Sequence, residues 1–253
     1  MADLAAPGVD VRFGDFDDPS SLEAAFAGGE RLLLISATEL ERRVEQHAAA
    51  IRAAASAGVR QIVYTSVLSP GPPNPALIAP SHHAAERALA ASGLRWTVLR
   101  NSLYAEYQVP EAEAALASGT LTHNRGDGRV AYVSREDCAA VAVAVLTTEG
   151  HEGAVYDVTG PQAFTADELA ALYGEVGGRP VRAVAVDDER FVAGLAGEAG
   201  ADDHLRYGAE LVASLGRSIR EGFLASCTDT VARLTGRPAR TLRAALEPQL
   251  GRG

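Results

Sequence analysis

Apolar residues along the chain fall into short unbroken runs separated by amphipathic stretches, and that alternation predicts the architecture. Arg31 to Ser36 (Arg-Leu-Leu-Leu-Ile-Ser) and Arg60 to Ser66 (Arg-Gln-Ile-Val-Tyr-Thr-Ser) are continuous enough to be parallel strands covered on both faces. Arg95 to Asn101 is a third such run. Between them, Glu41 to Ala57 carries Val44, Ala48, Ile51 and Ala55 at helical spacing, and Ser81 to Ser92 is a second helix; Gly58 and Gly93 close the two. Successive strand-helix units with right-handed crossovers give a parallel sheet. Upstream, Val9 to Phe13 alternates and ends at Gly14-Asp15, so it reads as a short strand, which we expect to pair directly with the Leu32 strand. Ser20, with Glu23 three residues on, reads as the N-cap of the helix that follows.

Beyond Asn101 the rhythm changes. Tyr104 to Ala117 is helical around a proline, Gly126-Asp127-Gly128 is a turn, and Val130 to Val133 is a brief strand. Ser134 caps a helix running to Leu146, Ala154 to Val158 is a strand, Thr165 with Glu168 is a capping box for a helix to Val176, and Val181 to Val186 is a strand. The remainder, to Pro248, is Ala-, Gly- and Arg-rich helical sequence. The reading is an α/β, Rossmann-like parallel sheet with a smaller, mostly helical C-terminal lobe: residues 1–119 as the core and 120–253 as the substrate-side lobe, with some of its strands rejoining the main sheet.

Composition narrows the function. A net charge of −10 over 253 residues works against nucleic-acid binding, because phosphate affinity comes from Lys and Arg. Cys138 and Cys227 lie far apart without metal-ligand spacing, and His47, His123, His151 and His204 are scattered, so no metal site is expected. Two isolated cysteines suit a reducing cytoplasm. No run of about 20 apolar residues offers a membrane span.

The segments Gly8 to Pro19, Leu32 to Ser36, Ala57 to Ser66 and Trp96 to Asn101, followed by Gly153-Ala-Val-Tyr-Asp-Val-Thr-Gly-Pro161, appear in an order that resembles the NmrA-like atypical short-chain dehydrogenase/reductases, of the NAD(P)H:quinone oxidoreductase type. The resemblance implies an NADP or NAD cofactor, with NADPH favoured, and a quinone or similar small acceptor as partner. A non-catalytic dinucleotide sensor, or a shortened paralogue that binds no cofactor, is the alternative, and a homodimer is left open. Family members begin with a strand, a Gly-x-x-Gly-x-x-Gly turn and a helix that hold the cofactor pyrophosphate. Met1 to Val9 resembles instead the stretch before a member's third strand, so the first βαβ unit is expected to be missing.

By the same resemblance, Ser36, Ala37, Thr65, Ser66 and Asn101, at or after strand carboxyl ends, line the cofactor crevice. Asp15 and Phe16 match an acidic-aromatic pair beside the adenine. Strand-end hydroxyls can equally cap loops, and Asp15 can be a simple turn former. The tyrosine and lysine of typical short-chain reductases fall at His83 and Arg87, which makes these the candidate catalytic pair; a merely solvated His83 is the competing reading. Tyr104 and Tyr107 are candidates to wall a flat aromatic substrate, or to pack the lobe.

Overall fold

The computed structural model describes residues 8–197 and 203–250. Its organising layer is a parallel sheet of β1 (Arg31–Leu34), β2 (Gln61–Val67), β3 (Arg95–Asn101) and β5 (Ala154–Val158), in the order β1-β2-β3-β5. Strand β2 is the centre, for a reason visible in its side chains. Ile62 and Tyr64 enter a core with Ile51 and Ala54 of α2 (Arg43–Ser56) and Leu89 of α3 (Ala79–Ala90). Val63 points the other way, into a core with Val141 and Val145 of α5 (Arg135–Thr147). Successive strand residues face opposite sides, so a run without polar interruption needs a helical layer on each face. Truncating Ile62 to Ala would cost about 2–5 kcal/mol.

The lobe has its own core. Strands β4 (Thr120–His123) and β6 (Arg182–Ala185) form a separate two-stranded parallel sheet. Around it pack α4 (Gln108–Ser118), α6 (Ala166–Gly177) and α10 (Leu242–Leu250), through Ala112, Leu121, Leu169, Tyr173 and Leu246. Helices α7 (Asp188–Ala196) and α8 (Asp203–Arg220) pack on each other, and the short α9 (Thr230–Thr235) lies against α5. The Ser134 cap and the Thr165–Glu168 capping box form as expected.

Several expectations change. Val9 to Phe13 forms no ladder with β1 or with any other described strand, and Phe13 is 68% exposed. Arg12 draws this segment toward α1 (Pro19–Phe26) instead, donating to the carbonyls of Ala25 and Ala27. Five alternating residues supply only a tendency, and a strand exists when its backbone finds a partner. The α1 cap is Asp18, which accepts from the Ser20 N–H, so Pro19 takes the first helical position. Val130 to Val133 makes only isolated bridges, to Phe164 and Tyr104, because its neighbours are loops. Pro110 falls in the first turn of α4, where its missing N–H breaks nothing, and α10 runs past Pro248. Met1 to Pro7, on which the expected N-terminal match partly rests, lie outside the described residues.

Candidate active site

The carboxyl ends of β1 and β2 meet the first turn of α2 in a buried polar cluster. Ala37 donates its backbone N–H to His47 Nε2 at 2.9 Å, so the His47 proton sits on Nδ1, facing Tyr64 Oη at 3.2 Å. Tyr64 Oη also meets His82 Nδ1 at 2.8 Å, and His82 Nε2 lies 3.3 Å from Arg43 Nη1; because a guanidinium can only donate, that contact is a hydrogen bond when the His82 proton sits on Nδ1. Both rings are neutral. Burial, aided by the Arg43 charge, depresses His47 to about 4 and His82 to about 3. Desolvation pushes the Tyr64 phenol up, so it keeps its proton.

Arg43 is the unusual member. It is 7% exposed, and its guanidinium donates to the carbonyls of Ala37 (2.7 Å) and Thr38 (3.4 Å) and to Ser81 Oγ (3.4 Å). No carboxylate among the described residues pairs with it, and burial lowers its pKa. A buried cation without a counterion is costly, which makes such a group a marker of anionic or polarised ligands.

The residues expected from sequence divide. Ser36 and Ala37 stand at the end of β1, but Thr65 Oγ1 accepts from the Ser36 N–H at 3.0 Å and Ser66 donates to Glu86 at 2.7 Å, where Arg100 also binds. These two hydroxyls therefore hold the scaffold. Asn101 donates to Tyr104 Oη at 3.3 Å while its buried Oδ1 has no partner among the described residues, nor has Ser102 Oγ next to it. Phe16 lies edge-on to His47 with centroids 6.4 Å apart, and Asp15 is an exposed turn residue beside it that takes the Asp17 N–H. His83 and Arg87 do share a face, lining a surface depression of about 490 Å³ with the proline loop 70–74. Tyr104 and Tyr107 stack at 5.8 Å beneath the Arg135 guanidinium, and Tyr107 alone of the two lines the cavity described next.

That cavity, of about 480 Å³, runs between the sheet edge and the helical lobe. Arg43 and His82 line it at one end; Leu103, Phe191, Leu215 and Ile219 supply apolar wall; Glu111, Arg125 and Tyr132 line it at the lobe end. None of its lining residues is shared with the His83 depression. Arg43, His82, Arg125 and Tyr132 carried no distinct sequence signal. His82 could have been found by testing both adjacent histidines against the buried face of α3, where the phase of Ala85 and Leu89 selects residue 82 over 83.

A cofactor can be tested against these groups. The partnerless Asn101 Oδ1 and Ser102 Oγ at the end of β3, and Gln46 Oε1 beside Asp17, are hydrogen-bonding positions of the kind a nicotinamide-ribose and an adenosine use. Among the described residues no glycine-rich turn leads from a main-sheet strand into a helix, so the pyrophosphate finds no backbone cradle there. The chain's Gly-x-x-Gly-x-x-Gly spacing, Gly194 to Gly200, begins at the end of α7, and its last three residues lie outside the described residues.

Comparison with known proteins agrees with the fold. Residues 1–149 match the family model described as NAD(P)H-binding. Quinone oxidoreductase 2 of Escherichia coli is 38% identical over 239 residues, 94% of this chain and 82% of the relative. NAD(P)H azoreductase of Xenophilus azovorans is 34% identical over the same shares. The crystal structure of an Escherichia coli NADPH-dependent quinone oxidoreductase complexed with NADPH superposes with a TM-score of 0.89 at 36% identity, covering 95% of this chain and 83% of that one. The chain belongs to this NAD(P)H-binding family, as an oxidoreductase of the NmrA-like type.

Proposed function

We propose that the protein transfers hydride from NADPH or NADH to a quinone or a similar small aromatic acceptor held in the cavity between sheet edge and lobe. The observation that carries this reading is Arg43, a buried guanidinium without a carboxylate partner that lines the cavity beside His82. When bound, the nicotinamide supplies the hydride. Asn101, Ser102, Ser36 and Ala37 at the strand ends, with Asp15, Phe16 and Gln46 on the adenine side, are the residues that would hold the cofactor. NADPH is the favoured form on family grounds.

Reduction puts negative charge on an acceptor oxygen. The Arg43 guanidinium, which has no carboxylate partner, can donate to that oxygen, and the field of an unpaired cation grows stronger as water leaves the site. His82 stays neutral beside it, since burial keeps the ring uncharged at neutral pH. Leu103, Phe191 and the exposed edge of Tyr107 offer apolar and aromatic surface to a flat ring. His83 and Arg87, outside this cavity, are not needed for that step.

The test is to titrate the chain with NADPH and NADH by nicotinamide fluorescence, then add a benzoquinone and follow the loss of reduced-nicotinamide absorbance. Cofactor oxidation that depends on the quinone supports the proposal. Cofactor binding without turnover on any of several quinones would replace it by a dinucleotide-sensing role.

A further inference from the structure

The lobe end of the cavity holds a second polar group, separate from the Arg43 cluster. Arg125 pairs with Glu111 through Nη2, and its backbone N–H donates to His123 Nδ1 at 3.2 Å. The other Glu111 oxygen lies 2.9 Å from Tyr173 Oη, whose one proton it shares with Gln108 Oε1 at 2.8 Å. The Arg125–Glu111 pair is neutral as a unit. Two donor groups are left over. Arg125 Nη1 and Tyr132 Oη are buried, line the same cavity, and have no hydrogen-bond partner among the described residues. The neighbouring acceptor Asn124 Oδ1 is likewise buried without a hydrogen-bond partner among the described residues, and it lies beside Gly216, where a Cβ would sit 1.8 Å from it. The Asn124 amide donates to Asp188 and to the Ala213 carbonyl.

We infer that Arg125 and Tyr132 form an oxygen anchor for the acceptor: a two-donor subsite that takes a neutral carbonyl oxygen and orients the rest of the ring along the apolar wall toward Arg43. The chemistry of the end group follows from what is unsatisfied. Arg125 Nη1 can only donate and the Tyr132 phenol has a proton to give, so the atom these two receive is an acceptor, while the unpartnered Asn124 Oδ1 beside them is left for a donor. Because Glu111 already neutralises Arg125, an uncharged carbonyl is matched better than a carboxylate, which would bring a second negative charge beside Glu111. Tyr132 is held at the anchor by its backbone, since Gly160 after β5 lets the Tyr132 carbonyl approach to where a Cβ would sit 1.9 Å away. Desolvation raises the Tyr132 phenol well above its ordinary pKa, so it remains a donor throughout the neutral range.

The identity of the ligand class rests on the hydride-transfer reading; the anchor itself can be tested by binding alone. The probes are duroquinone, whose fully substituted ring offers no open carbon for addition of the exposed Cys227 thiol, and durene, the same ring without its two oxygens. Calorimetric titration of the full chain should show duroquinone bound at least about thirtyfold more tightly than durene, because a site with buried donors rejects a ligand that leaves them bare. Tyr132→Phe should lower that preference about three- to tenfold, the worth of one neutral hydrogen bond, with durene affinity and melting temperature unchanged. Arg125→Lys, which keeps a cation for Glu111, should lower it by a similar factor. An unaltered preference in Tyr132→Phe overturns the anchor, as does wild-type protein that binds the two rings equally or binds neither. Wild-type protein that prefers duroquinone but oxidises neither NADPH nor NADH with it overturns the hydride-transfer reading and leaves the anchor standing.

Discussion

The two ends of the cavity are both built around a buried arginine, yet they solve the problem of its charge in opposite ways. At the sheet edge, Arg43 has only carbonyls, a hydroxyl and a neutral imidazole for company, so its charge is left for whatever enters. At the lobe end, Arg125 has a carboxylate partner, and what it leaves over is hydrogen-bonding capacity. An uncompensated cation stabilises charge that develops during a reaction, whereas a neutralised pair with spare donors recognises a ground-state dipole. Under the proposed function, the contrast gives chemistry to one end and orientation to the other.

Acidification strains the first end most, because two buried imidazoles sit there against one at the lobe end, His123, whose pKa burial also lowers, and this is the largest effect expected. His47 and His82 titrate near 6.5 when unfolded and at about 4 and about 3 when folded, so the unfolded chain binds more protons between those limits and stability falls as pH drops through that window. From pH 7 to 5 each ring should cost about 2 kcal/mol, together about 4, read as a urea midpoint that falls with pH. The groups facing the rings are Arg43, Tyr64, the Phe16 edge and the Ala37 N–H, none of which titrates in that range. His82→Gln should remove about half of the dependence; a slope equal to that of the wild type would mean that the ring is not held neutral.

Removing the free cation with Arg43→Met should lower kcat/KM for quinone reduction about 100- to 1000-fold, as loss of a donor aimed at developing charge does, with the circular dichroism spectrum retained. A variant within tenfold of wild type would undo the division between the two ends. At the lobe end the expected penalty is one of stability. Glu111→Ala strands the Arg125 charge, and because the Glu111 side chain is 26% exposed the cost should be about 2 kcal/mol rather than the 3–5 of a fully buried pair. Equilibrium denaturation measures it. The smallest effect is expected at His83→Ala, whose side chain lines the proline-loop depression and not the cavity: turnover within about twofold of wild type, as for surface changes generally. A hundredfold loss there would return the acid role to His83.

Much of the main sheet was legible because each of its strands is a local pattern. The apolar runs at Leu32, Ile62 and Val98, the helices between them and the caps at Ser134 and Thr165 depend on neighbours within a turn or two. The strand at Thr120–His123 was missed, since four residues beside Gly119 show no period, and it exists because β6 lies alongside more than fifty positions later. The Val9 segment erred in the other direction, with alternation present and no partner.

The candidate site was legible only where a backbone position defines it. Ser36, Ala37 and Asn101 were picked from their places at strand ends, a property of the fold class, and Thr65 and Ser66 in the same setting bond within the scaffold. His82 and His83 are adjacent and chemically identical, and which of them meets Tyr64 is settled by the rotation of α3 against β2. The sequence by itself determined the layered parallel sheet, the family and the kind of cofactor, because those follow from local periodicity and ordered strand motifs. Tertiary structure alone decided that Arg43 stays unpaired while Arg125 is neutralised, since a buried charge takes its character from partners that packing brings in, and no local pattern encodes them.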